Sequence, residues 1–178
     1  MQTQRGAISF LESPSNGSSA SARTETPLLS GNCILHHIGF VVPSISAVAE
    51  DFIRFMSAHW DGQVIHDPLQ RVRVAFFYPA AEGNPTFELV EPADKTSPVS
   101  GFLANGGGFH HVCYEIADLE SALRSARKIG FVVVSRPTPA VAFDGRRIAW
   151  ICSKTRLLME LLERDSYSGQ APNPTPRR

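Results

Sequence analysis

The chain has 178 residues, enough for one domain or two small halves sharing a core, and 43% of them are hydrophobic, as in ordinary soluble globular proteins. Seventeen basic residues balance seventeen acidic ones, so the composition offers no basic face for nucleic acid, and no apolar run approaches the roughly 18 residues of a membrane span. Three cysteines without CxxC spacing argue against a disulfide frame and suit thiols kept reduced in the cytoplasm.

Residues 1–31 are rich in Ser, Thr, Gly and Asn and lack apolar periodicity, which predicts a flexible N-terminal tail without a secretory h-region. A folded domain is expected over 32–165, in two modules at about 34–92 and 108–163, followed by a second flexible tail over 166–178. The first module opens with "ILHHIGFVV", a β-branched and aromatic strand. Ser44 or Ser46 then caps a helix whose Ile45, Val48, Phe52 and Phe55 keep near-helical spacing. Three shorter strands are predicted at 63–65, 72–78 and 86–90, divided by turn residues such as "AEGNP".

The linking "NGGG" has no strand before it and no helix after it, so it is a connection rather than a phosphate cradle. The second module then repeats the plan. "FHHVCYEI" is its first strand, Asp118 caps a helix with Leu119, Ala122, Leu123, Ala126 and Ile129 on one face, and Gly130 ends it. Strands follow near 131–134, 147–152 and 157–162. His37 and His111 are 74 residues apart, as are Ser44 and Asp118, while Glu88 of "FELVEP" and Glu160 of "MELLER" are 72 apart. The fold class is therefore α+β: two tandem βαβββ modules forming a curved mixed sheet, in two four-stranded halves, around one cavity.

Alternation along a strand sorts the histidines. His37, Gly39 and Val41 share one face of the first strand, and His111, Cys113 and Glu115 share one face of its repeat. The bulkier opposite faces suit the helices, so the second histidine of each doublet is expected in the cavity. His36 and His110 are expected to face helices or a partner and to hydrogen-bond locally. His59 and His66 fall outside the repeat and are expected to be exposed.

The segments "LHHIGFVVP", "FELVEPADKTSPVSGFLANGGGFHHVCYEIADLESAL" and "RLLMELLE" resemble the vicinal oxygen chelate superfamily (glyoxalases, bleomycin resistance proteins and dioxygenases). Within it they resemble the methylmalonyl-CoA epimerases most of all, over most of residues 34–163. The resemblance implies a divalent ion (Co, Zn, Ni or Mn) held by His37, Glu88, His111 and Glu160, one residue from the first and last strand of each module. Two imidazoles and two carboxylates suit such an ion on chemical grounds as well.

The implied activity is a metal-dependent epimerase or isomerase that removes a proton α to a thioester-type carbonyl. Glu160 is the first candidate base and Glu88 the second, since epimerisation needs an acid and a base that exchange roles. A glyoxalase I-like lyase, or a metal-free small-molecule (antibiotic) binding module of the same fold, is the alternative. Some epimerases carry glutamine at the place of Glu88, and an acidic residue that some use as a second base falls here near Val74. The turn before the last strand is reduced to "CSKTR", without a glycine pair. Arg146, Arg147, Lys154 and Arg156 either bind an anionic substrate group or form a solvated basic hairpin. A small-molecule substrate, an acyl thioester, and a homodimer are the partners the resemblance implies.

Overall fold

A computed structural model describes residues 33–165; the tails expected at 1–31 and 166–178 lie outside the described residues. The first module runs β1 (Ile34–Val41), α1 (Ile45–Met56), β2 (Ala58–His59), β3 (Ile65–Asp67), β4 (Val72–Pro79) and β5 (Thr86–Pro92). A short helix α2 (Ser100–Ala104) crosses to β6 (Gly108–Ile116), α3 (Leu119–Lys128), β7 (Val132–Val133), β8 (Thr138–Pro139), a 3-10 turn at Val141–Phe143, β9 (Arg147–Cys152) and β10 (Leu158–Glu163). No helix among the described residues is long and apolar enough to cross a membrane.

The strands form one open sheet in the order β2-β4-β5-β1-β6-β10-β9-β7, with β3 beside β4 and β8 beside β9. Each module pairs its first strand in parallel with its last, β1 with β5 and β6 with β10, and that last strand antiparallel with the one before it. The halves meet where β1 runs antiparallel to β6. The repeat read from spacing is thus a repeat of topology. The two-residue strands β2, at one edge, and β8, beside β9, are additions to the four strands expected per half, while β7 at the other edge is the strand expected near 131–134.

Each helix covers its own module. The apolar face of α3 buries Leu119, Ala122, Leu123 and Ala126 over β6, β9 and β10. Burying a leucine in this way contributes about 2 kcal/mol relative to exposure. Asp118 caps α3 as expected, its carboxylate accepting from the Ser121 N–H at 2.8 Å. Helix α1 packs Ile45 and Ala49 on the other half, with Phe52 against Phe77 and Phe87. Phe55, expected in that apolar face, is 86% exposed on the last turn.

Ser44 is the N-cap of α1, but its hydroxyl bonds Ser46; the orphan Ile45 N–H instead donates to Glu91 Oε2 of β5 at 2.8 Å. A cap supplied from the sheet ties the helix to its own module.

The opposite face of the sheet holds a second apolar layer, with Val41, Val72, Val74, Val90 and Val99 on one side and Cys113, Ala140, Phe143, Ile148 and Leu162 on the other. The glycine link belongs to this side. Gly107 has φ +65°, and a Cβ on it would meet the Val41 carbonyl oxygen at 2.7 Å, so only glycine fits the turn into β6. One clasp joins the halves across the cavity: buried Asp67 of β3 accepts from Leu69 N–H and Gln70 N–H through Oδ1 and from Val141 N–H through Oδ2, at 2.9–3.0 Å.

Candidate metal centre

Four strands deliver the site. β1 and β6 bring His37 and His111 face to face, and the parallel neighbours β5 and β10 bring Glu88 opposite Gly39 and Glu160 opposite Cys113. His37 Nε2 lies 3.0 Å from His111 Nε2. It also lies 3.4 Å from Glu88 Oε2 and 3.2 Å from Glu160 Oε2, while His111 Nε2 lies 3.4 and 3.6 Å from the same two oxygens. All four residues are at most 5% exposed.

Donor atoms that share an ion at roughly 2.1 Å stand roughly 3.0–3.4 Å apart in octahedral or tetrahedral arrangement. The ligand atoms of His37, Glu88 and His111 lie together in the way one divalent ion needs, and Glu160 approaches both imidazoles from the neighbouring strand. Charge fits as well. Two buried carboxylates carry two negative charges that burial makes costly without a counter-ion. In the metal-free pocket the compensation comes from a proton on His37. Burial alone lowers the pKa of His37, but the Glu88 charge and the hydrogen bonds to Glu160 and Glu88 outweigh it and raise the value to about 9. For His111 burial wins over the Glu88 charge, with the neighbouring His37 and His110 adding to it, and its pKa falls to about 3. A protonated His37 donating to a neutral His111 is the consistent state. A divalent ion in place of that proton brings the group to neutrality.

The site lies on the wall of a cavity of about 340 Å³, into which Glu88, His111 and Glu160 project from the sheet. Its other walls are mostly apolar, among them Val72, Val74, Val90, Ile148 and Trp150. Cys113, beside the site as alternation predicts, is fully buried, and burial, the Glu160 charge and a hydrogen bond to Glu160 push its thiol pKa well up. It is a packed thiol rather than a nucleophile. Glu115, next on that face, is engaged by Arg146 Nη1 at 2.6 Å and by Arg164 Nε at 4.0 Å.

The first histidines of the doublets are not where alternation puts them. The β1–β6 ladder slips at two places, once between Leu35 and His37 and once opposite Gly39 and Phe40, where His110 is the residue left over. Each slip is a β-bulge, and each turns a histidine that strict alternation sends to the helices round to the cavity side. His36 Nδ1 then meets His37 Nδ1 at 2.8 Å, and His110 Nδ1 meets His111 Nδ1 at 3.0 Å. The expected local hydrogen bonds are present; the expected helix-facing orientation is not. Burial, with His37 adding to it, lowers the His36 pKa to about 4, and burial lowers that of His110. No turn residue marks either bulge, so no local signal reveals them.

His59 and His66 are exposed, as expected. Arg147, one of the four cations near the last hairpins, is taken up by Glu120 and Glu163, and Arg146 by Glu115. Neither is left to hold an anionic group.

A family model described as the Glyoxalase/Bleomycin resistance protein/Dioxygenase superfamily matches residues 36–150. The ethylmalonyl-CoA/methylmalonyl-CoA epimerase of Cereibacter sphaeroides is 29% identical over 122 residues, covering 67% of this chain and 88% of that protein. The mitochondrial methylmalonyl-CoA epimerase of Mus musculus is 32% identical over 96 residues, 53% of this chain and 52% of that one, so the match spans about half of the mitochondrial relative. Among solved structures, a Streptomyces coelicolor methylmalonyl-CoA epimerase in complex with 2-nitronate-propionyl-CoA superposes with a TM-score of 0.62 at 25% identity, covering 74% of this chain and 97% of that one. With a shared fold and a family match over more than half of its length, the chain belongs to the Glyoxalase/Bleomycin resistance protein/Dioxygenase superfamily.

Proposed function

We propose that this protein is a metal-dependent epimerase or isomerase that moves a proton α to a thioester-type carbonyl, in the manner of a methylmalonyl-CoA epimerase. The observation that carries the proposal is the convergence of His37, Glu88, His111 and Glu160, two imidazoles 3.0 Å apart with each carboxylate 3.2–3.6 Å from both of them, at the wall of a mostly apolar cavity. These four residues would hold one divalent ion, Co, Zn, Ni or Mn. When bound, the ion supplies Lewis-acid polarisation to vicinal oxygens of the substrate.

The remaining chemistry belongs to the chain. Glu160 is the base that takes the α-proton, and Glu88, its repeat mate on the other half, is the acid that returns one to the opposite face. Val74, Val90, Ile148 and Trp150 exclude water from the carbon being deprotonated. The names of the relatives from Cereibacter sphaeroides and Mus musculus support an acyl-CoA thioester as the substrate. A glyoxalase I-like lyase is the second reading, favoured by glutamate rather than glutamine at position 88. A metal-free binding module has no use for four converging ligands. We further propose that the protein works as a homodimer in the cytoplasm, a compartment suited to cysteines that show no CxxC spacing.

The decisive experiment is solvent deuterium wash-in at the α-carbon across a panel of acyl thioesters, with metal analysis of the same sample. Exchange with at least one thioester, dependent on the bound ion, is the expected result. Absence of exchange with every thioester, alongside turnover of a thiol hemiacetal, transfers the protein to the lyase reading.

A further inference from the structure

The two histidine doublets contain two residues that the proposed chemistry does not use. We propose that His36 and His110 are positioning residues: each bulge-borne imidazole accepts the Nδ1–H of the histidine after it and thereby aims that histidine's Nε2 lone pair into the metal pocket. The inference rests on the metal reading above, because it concerns how the ligands are held.

The geometry is the same twice over. Nδ1 to Nδ1 separations of 2.8 Å for His36–His37 and 3.0 Å for His110–His111 are hydrogen bonds between rings of adjacent residues. Adjacent strand residues point to opposite faces, so such a bond exists only because each pair sits at a register slip. For His37 or His111 to offer Nε2 to an ion, a neutral ring must carry its hydrogen on Nδ1. That hydrogen needs an acceptor, and the neighbouring Nδ1 is the one at hand. Each acceptor ring is itself held edge-on by a phenylalanine, His36 by Phe143 at 5.3 Å between centroids and His110 by Phe102 at 4.8 Å. Phe143 lies in the 3-10 turn and Phe102 in α2, so two unrelated elements clamp two repeat-related rings. A metal-binding histidine ordinarily gives its second N–H to a carboxylate, carbonyl or water that fixes ring orientation and tautomer. Here a second imidazole fills that place in both halves.

The test compares two substitutions at each position. Asparagine puts an amide oxygen close to where Nδ1 stood and keeps an acceptor. Leucine keeps apolar bulk but offers none. Wild type, His36→Leu, His36→Asn, His110→Leu and His110→Asn are purified metal-free, checked for folding by circular dichroism, and titrated with Co²⁺ and Zn²⁺ against a chelator of known affinity. The leucine variants should bind on the order of 10- to 100-fold more weakly, with a shifted Co²⁺ d–d absorption, and the asparagine variants should stay within about threefold of wild type. A packing role predicts the reverse order, since leucine preserves volume better than asparagine does. Leucine variants that bind as wild type does, or asparagine variants that lose as much affinity as leucine ones, overturn the positioning role and leave the metal reading intact. A wild-type protein that takes up neither ion overturns both. The two positions are independent, so failure of one variant to fold leaves the other decisive.

Discussion

Gly39 stands directly across from His111 in the β1–β6 ladder, and a Cβ built on it would lie 2.0 Å from Cε1, 2.4 Å from Nδ1 and 2.6 Å from Nε2 of that ring. Non-bonded carbons rest at roughly 3.5–4.0 Å, so in Gly39→Ala the imidazole must retreat by roughly 1.5–2 Å. The Trp150 and His37 rings stand 4.8 and 5.1 Å away, so a retreat into the adjoining cavity takes the imidazole from its place beside His37. Metal–ligand distances tolerate only about 0.2 Å, so the displaced ring leaves the coordination position altogether. The expected outcome is metal affinity reduced by at least 10²-fold, more than the loss of an outer partner costs. An overpacking penalty of about 1–3 kcal/mol should accompany it, lowering Tm by roughly 3–10 °C. Equilibrium dialysis with metal analysis measures the first effect, and thermal unfolding of the metal-free protein the second. A folded alanine variant that retains wild-type metal affinity would refute both the ring placement and the ligand role of His111.

Glu160→Gln should lower turnover by on the order of 10²–10⁴ with the ion still bound, because an amide oxygen ligates but takes no proton, and Glu88→Gln should be milder; steady-state rates with metal analysis decide, and equal damage through metal loss alone places the base elsewhere. Because His37 keeps a proton up to about pH 9 in the metal-free pocket, metal uptake near neutral pH should release about one proton per chain, read from the buffer dependence of calorimetric heats. Its raised value also means that the contribution of this proton to metal-free stability is complete below about pH 6.5 and is lost as pH rises through about 9, so denaturant midpoints should fall over that window. Asp67→Asn keeps an oxygen for Leu69 and Gln70 but sets an amide against the Val141 N–H, so it should cost about 1–3 kcal/mol in denaturant titration; an unchanged midpoint means the clasp is not structural.

Much of this fold is written in the sequence because duplication writes it twice. Apolar periodicity with an Asp118 cap found α3, and the strand bounds of β9 agree to the residue, since β-branched and aromatic runs bounded by turn residues leave little choice. The four converging residues were legible for the same reason: a spacing of 72–74 residues repeats chemistry and not only hydrophobicity. The missing parts are those set by a partner strand. A bulge is a mismatch between two ladders, so the turn of His36 and His110 toward the cavity is invisible in either strand alone. Helix α2 spans five residues, too few for a period to declare itself, and the unexpected strands β2 and β8 span two each. Phe55 kept the helical spacing of a core residue but lies on the last turn of α1, beyond what the sheet covers.

Duplication supplies a frame with two equivalent halves, whereas the epimerase reading proposed above, in which a proton leaves one face and returns to the other, assigns different roles to two carboxylates. The difference arises at the residues facing them. Positions 39 and 113 correspond in the repeat, and one is glycine while the other is cysteine. Glu88 is opposite Gly39, which has no side chain to hold it, and that space is filled instead by the His111 ring. Glu160 is opposite Cys113, whose thiol hydrogen-bonds it. A thiol is a weak donor that orients a carboxylate. On the epimerase reading, an oriented Glu160 suits proton removal, and a Glu88 held mainly by His37 and His111 suits the exchange partner. Two residues that carry no catalytic chemistry of their own thus break the symmetry that the backbone imposes.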